Sequence, residues 1–145
     1  MREILFKAKR IKDGKWIEGY YAECNGKTFI GIDISIGIDD IFEVFCTPVI
    51  RWFEVDPETL CQFTGRCDRY GNKIWEHDIL KTWSDEYAQV KFGFYDTGFA
   101  SGDYNQGFYV DFSEESLLRK ELGYWCKETY VRGNIFDNPE LLKGC

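Results

Sequence analysis

The sequence predicts an α+β protein dominated by short β-strands. The prediction rests on runs rich in β-branched and aromatic residues, on tight-turn dipeptides between those runs, and on a single late stretch with helical spacing. "EILFKAK" (3–9) and "KWIEGYYAEC" (15–24) flank Asp13-Gly14, a strong hairpin signal. Asn25-Gly26 marks a second tight turn before "KTFIGIDI". "IFEVFCTPVIRWFEV" (41–55) continues the pattern, with Pro48 as a break.

At Asp56-Pro57 the texture changes. Asp56 suits a cap and Pro57 the first position of a helical turn. We place a boundary there, giving a β-rich N-terminal region, 1–56, and a C-terminal domain, 57–145. "LCQFTG" then reads as a strand ending at Gly65, "DRYGNK" as a turn, and "IW" as a strand running into "EHD". "ILKTW" and "YAQVKFGFY" are strands around the acidic turn Asp85-Glu86. The segment 96–107, "DTGFASGDYNQG", lacks periodicity and reads as the longest loop. "FYVDF" returns as a strand. A helix is predicted from Ser113 as N-cap, with Glu114 and Glu115 in its first turn, Leu118 and Leu122 on one face, and Gly123 as the C′ residue. "KETYVRGNIF" is a last strand, and Asn138-Pro139 opens a final helical turn.

Composition narrows the function classes. The chain has 145 residues, 44% hydrophobic and 18% aromatic, and the high aromatic share argues against disorder. Its net charge of −7 disfavours nucleic acid and anionic membranes as partners, since affinity for phosphate comes from Lys and Arg. The basic cluster Lys7, Lys9, Arg10, Lys12 and Lys15 reads as a solvated strand edge. No run approaches about 18 apolar residues, so no membrane-spanning helix is predicted. "MREILFKAKR" lacks the apolar core of a signal peptide, so the expected compartment is the cytoplasm and the six cysteines are expected to be reduced.

Three patches resemble the YopX family, small proteins encoded by bacteriophages and prophages. They are "REILFKAK…GKWIEGYY", "DPETLCQFTGRCDRYGNKIWEHDIL" and "GNIFDNPELL". The second is similar to the family pattern D-P-E-T, Q-[YF]-T-G, D-x-x-G-x-x-I-[YW]-E-G-D-I. The residues that match the family's motifs are Gln62, Thr64, Gly65, Asp68, Gly71, Glu76, Asp78, Gly133, Asn134 and Pro139, and we expect them to be structural. His77 stands where the family pattern has glycine, which implies a turn that favours positive φ. The resemblance implies a C-terminal SH3-like small barrel (a roll), here carrying the predicted helix. It also implies a phage or prophage protein in the host cytoplasm, and it supplies no activity.

His77, the sole histidine, would serve as a general base if Glu76 or Asp78 positioned it, but the sequence names no nucleophile beside it. The bland alternative is a turn in which Asp78 accepts nearby backbone N–H groups. Cys61, Cys67, His77 and Cys126 could ligate zinc, yet no cysteine pair has knuckle spacing. Asp39 and Asp40 lack the alternation of a calcium loop. "GFASGD" lacks the lysine of a phosphate loop and places Asp103 where it would repel phosphate. No catalytic residue, metal or cofactor is therefore expected.

What remains is recognition. Trp83 and Tyr95, on strands flanking the 96–107 loop, and Phe99 and Tyr104, within it, are the expected partner-binding residues. The expected function is protein–protein interaction with a host or phage protein, with a homo-oligomer as a further possibility. The alternative is nucleic-acid binding, which needs the N-terminal basic cluster to gather with Lys91 or Arg132. An enzyme using His77 is the third class.

Overall fold

The computed structural model describes residues 5–33, 50–96, 104–112 and 120–143. The chain folds as two units, one running up to Gln62 and a second beginning at Phe63. Asp56 lies within the first unit, where its carboxylate accepts the Glu58 N–H at 3.0 Å and caps a 3-10 turn, Pro57–Thr59.

The first unit is an antiparallel sheet. Its strands are β1 (Phe6–Lys9), β2 (Trp16–Cys24), β3 (Lys27–Asp33) and β4 (Ile50–Val55), in the order β4-β3-β2-β1. β5 (Cys61–Cys67) starts alongside β1, with Phe6 opposite Gln62. The predicted turns form. Gly14 has φ 69°, and Asn25 and Gly26 have φ 53° and 76°, the mirror-image turn that matches strand twist. Gly19 is required by close approach, because a Cβ there would lie 2.1 Å from the Gly31 carbonyl oxygen. Alternation buries one face, with Ala8, Ile30 and Val55 fully buried against Phe6, Ile17 and Leu60. The end of β4 returns to the end of β1: Ile11 N–H donates to the Glu54 carbonyl at 3.1 Å, and Asp56 N–H to that of Lys9 at 2.9 Å.

The second unit holds the rest of β5 together with β6 (Lys73–Trp75), β7 (Asp78–Lys81), β8 (Tyr87–Asp96), β9 (Tyr104–Phe112), α1 (Leu122–Trp125) and β10 (Tyr130–Asn134). β6 pairs with β5, and the larger antiparallel sheet runs β10-β7-β8-β9. A closing 3-10 turn spans Pro139–Lys143. The core is Ile74, Leu80, Ala88, Val90, Val110, Leu122 and Cys126, covered by Phe108, Phe112, Trp125 and Val131. Each fully buried Val, Leu or Ile contributes roughly 1.5–3 kcal/mol relative to exposure.

The β-dominated α+β prediction is met, with two antiparallel sheets and one helix among the described residues. Among those residues no ladder closes into a barrel. Two local expectations are corrected. Strand pairing overrides the aperiodic 96–107 segment, because Asp96 pairs with Tyr104 and Tyr95 with Asn105. Only 97–103 remain of the expected loop, and they lie outside the described residues, as does Phe99. The helical turn that contains Leu122 ends later than predicted. Glu121 is extended (ψ 130°) and bridges Tyr109, so α1 starts at Leu122 and Gly123 lies inside it rather than beyond its end. The proposed helix start at 113–119, Asp39 and Asp40, Asp103, and the strand predicted over 41–49 also lie outside the described residues.

Candidate functional site

The ionised segment 68–78 builds backbone. Asp68 is buried, and its Oδ1 accepts the N–H groups of Tyr70 and Asn72, each at 2.9 Å. Its Oδ2 accepts the Val131 N–H at 2.9 Å and the Asn72 side-chain amide at 3.2 Å. Burial alone would raise the carboxyl's pKa. The amide donors, with Val131 and Asn72 foremost, outweigh burial and hold it below the usual carboxylate range. Gly71, at φ 84°, completes the turn, and Arg69 N–H donates to the Thr129 carbonyl at 3.1 Å.

His77 takes φ 72°, the left-handed region that the family's glycine implied. Its backbone ties two elements, donating to the Val90 carbonyl at 2.8 Å and accepting from Ile135 N–H at 3.1 Å. Asp78 is buried and accepts the Trp75 N–H at 2.8 Å, the turn role that its spacing suggested. The imidazole is half-buried. It lies 3.4 Å from the Gln89 amide, 3.9 Å from a Glu76 oxygen, and edge-on to Phe136. Among the described residues no group of three or more His, Cys, Asp and Glu is placed to hold a metal.

The other motif residues also act on backbone. Gln62 stands opposite Phe6 where β5 pairs with β1. Thr64 donates to the Ile74 carbonyl at 2.7 Å, and Gly65 (φ 83°) sits in the irregular stretch of β5. Glu76 and His77 form the turn between β6 and β7. Asn134 accepts from Phe136 and Asp137, Pro139 opens the last 3-10 turn, and Gly133 leaves room for Asn138, whose Oδ1 would lie 2.3 Å from an added Cβ.

These turns project an aromatic surface. The Arg69 guanidinium lies 3.9 Å from the Trp83 ring centroid and 5.2 Å from that of Tyr70. Tyr70 meets Tyr130 edge-on at 5.8 Å. Tyr130 stands opposite Lys81 on the β10–β7 rung, and Lys81 stands opposite Tyr87 on β8. Trp83 and Tyr70 are 68% and 64% exposed, so these rings face solvent while the turns beneath them are fixed. The Thr82 N–H donates to the Glu86 carbonyl at 2.9 Å, which holds the turn carrying Trp83 in place. Lys81 pairs with Asp85 at 3.1 Å, so Arg69 is the cation this surface offers to a partner.

The expected partner-binding residues do not all meet. Tyr95 and Tyr104 lie on adjacent rungs of the β8–β9 hairpin, Tyr104 exposed and Tyr95 stacked on Tyr109 at 5.4 Å. Trp83 lies in the turn before the first residue of β8. Tyr95 is eight residues beyond that first residue, a span of roughly 26 Å of strand at about 3.3 Å per residue. Sequence reasoning missed Arg69, Tyr70 and Tyr130. Their only signal was residue type, as Trp, Tyr and Arg carry most interface energy.

The N-terminal cations also meet rings. Lys7 and Lys9 lie over Trp16 at 4.7 and 5.4 Å, and Arg10 and Arg51 over Phe53 at 5.2 and 5.0 Å. In the second unit Lys91 is paired with Asp111 at 2.7 Å. Among the described residues no helix is long and apolar enough to cross a membrane.

Fold and site together define a small β-dominated protein in which Asp68 and Asp78 bond the backbone of its turns and Trp83 and Tyr70 are exposed. The chain belongs to the YopX family: the family model described as YopX protein matches residues 5–143. A similar solved structure is the crystal structure of protein EF1440 from Enterococcus faecalis. It is 19% identical, aligns over 98% of this chain and 99% of that one, and superposes with a TM-score of 0.48. None of the curated proteins matches the chain.

Proposed function

We propose that this protein is a phage or prophage accessory factor that acts in the host cytoplasm by binding another protein, without catalysis of its own. The observation that carries this reading is the exposed Trp83–Arg69–Tyr70 stack, continued by Tyr130. Tyr and Trp present large rigid contact area, and Arg adds a charge-assisted anchor. In the same reading the second unit is an opened relative of an SH3-like small barrel, which its short antiparallel strands and tight turns support. A second copy of the chain is one candidate partner.

The test is affinity capture from host lysate with the wild type and with the Trp83→Ala/Arg69→Ala double variant, followed by mass spectrometry and by mass measurement in solution. A protein, or a self-associated species, present with the wild type and absent with the variant supports the reading. Equal recovery with both overturns it.

A second reading, nucleic-acid binding, draws on the basic–aromatic pairs of the first unit. Rings and cations together favour single strands. The net charge of −7 weighs against it. A gel shift that weakens steeply with salt would promote this reading, and no shift at low salt would remove it.

A further inference from the structure

β9 is an outer strand of the β10-β7-β8-β9 sheet among the described residues, and its edge is only partly used. The Val110 N–H donates to the Lys120 carbonyl at 2.8 Å, and Tyr109 bridges Glu121. The chain then leaves the edge by turning into α1. Backbone N–H groups alternate sides along a strand, so those of Phe108 and Gln106 point to the same edge as that of Val110. A cleft of about 450 Å³ opens where the ladder stops, lined by Gly107 and Phe108 and by the first turn of α1. That volume lies within the roughly 300–1,000 Å³ of ligand-binding clefts.

The same cleft is lined by Thr64, Gly65 and Arg66 of β5. The Arg66 guanidinium lies against the bare backbone of Gly123, where a Cβ would come within 3.1 Å of its Nη2. Among the described residues no carboxylate or other acceptor pairs with that guanidinium. This is unusual company in a chain with 25 acidic side chains against 18 basic ones. Glu121 also lines the cleft, so its field is not uniformly positive.

We propose that this cleft binds an extended peptide segment, which adds as a strand to the β9 edge beside Phe108 and Gln106 and presents one Asp or Glu side chain to Arg66. Main-chain pairing supplies register and affinity in such additions, and the side-chain contact supplies selectivity. The occupant is a carboxylate-bearing strand because the edge offers N–H and C=O groups in alternation while the cation among the described lining residues, Arg66, is a fork-shaped donor. This site is separate from the Trp83 surface, so each can fail without the other.

The test is an amide chemical-shift titration with a short acetylated and amidated peptide of alternating threonine and valine bearing one central glutamate. Its glutamine and lysine twins serve as controls. The glutamate peptide is expected to shift Gln106, Phe108, Arg66 and Gly123. The glutamine twin should bind about fivefold more weakly, the magnitude of a partly exposed ion pair. Arg66→Ala should remove that preference, and Arg66→Glu should transfer it to the lysine twin. No shifts, shifts elsewhere, or equal binding of the three peptides overturns the proposal.

Discussion

The carboxylate of Asp68 accepts the backbone N–H of Val131 at 2.9 Å, across a sequence separation of 63 residues. One side chain therefore fastens the 68–72 turn to the first residues of β10. Asp68→Asn turns an amide donor toward donors it formerly accepted from, and is expected to cost about 1–3 kcal/mol. The folded pKa lies below the ordinary value of 3.8, so the unfolded chain binds the proton first. The stabilisation is fully present above the unfolded value and is lost as pH falls through the lower folded value. Thermal melts from neutral pH down to strongly acidic pH should show acid destabilisation that is smaller in Asp68→Asn. Identical pH slopes would remove Asp68 from that account.

His77→Gly restores the residue type that its φ of 72° favours. Strain of a non-glycine residue in this region is of order 1–3 kcal/mol, offset by the lost contact with Phe136. The variant is expected to be as stable as the wild type or up to about 1 kcal/mol more so, whereas β-branched His77→Val should be less stable. Denaturant midpoints decide between these outcomes. A marked loss in His77→Gly would mean that the imidazole, not the turn, is what the fold needs.

Two glycines should respond differently to alanine. At Gly19 the new Cβ would meet a backbone carbonyl oxygen at 2.1 Å, and the β2–β3 ladder would have to part. At Gly26 nothing lies within 4 Å, and only φ 76° is strained. Gly19→Ala is expected to cost more than about 3 kcal/mol, beyond ordinary overpacking, and Gly26→Ala about 1 kcal/mol. Equal losses would mean that conformation rather than close approach governs both sites.

How much of this was legible in the sequence depends on the range of the interaction. Asp13-Gly14, Asn25-Gly26 and Asp56-Pro57 act within a few residues, and each forms the turn that it spells. The left-handed His77 was legible through a resemblance, since a family glycine marks the backbone and not the side chain. Residues 104–107 read as loop because Asn105, Gln106 and Gly107 carry no strand pattern of their own. Pairing with β8 imposes it, with Gly93 opposite Gly107. Glu121 reads as helix for the same reason in reverse, its extended conformation being set by Tyr109. Arg69 and Trp83 come from separate turns, so no local pattern announces that they stack.

Trp83 is 68% exposed, and Arg69 is an exposed residue of the turn that Asp68 fixes. Neither side chain belongs to the core of the second unit, which is made by Ile74, Leu80, Val90 and their neighbours. Trp83→Ala and Arg69→Ala should each change stability by within about 0.5 kcal/mol plus the cation–π energy, which is roughly 0.5–1 kcal/mol at an exposed site. A double-mutant cycle read by denaturant unfolding should return a coupling in that range. Such a result leaves the rings available for a partner. A coupling well above it, or a loss of several kcal/mol in either single variant, would mean that the stack belongs to the fold itself, and the binding surface would have to be sought elsewhere.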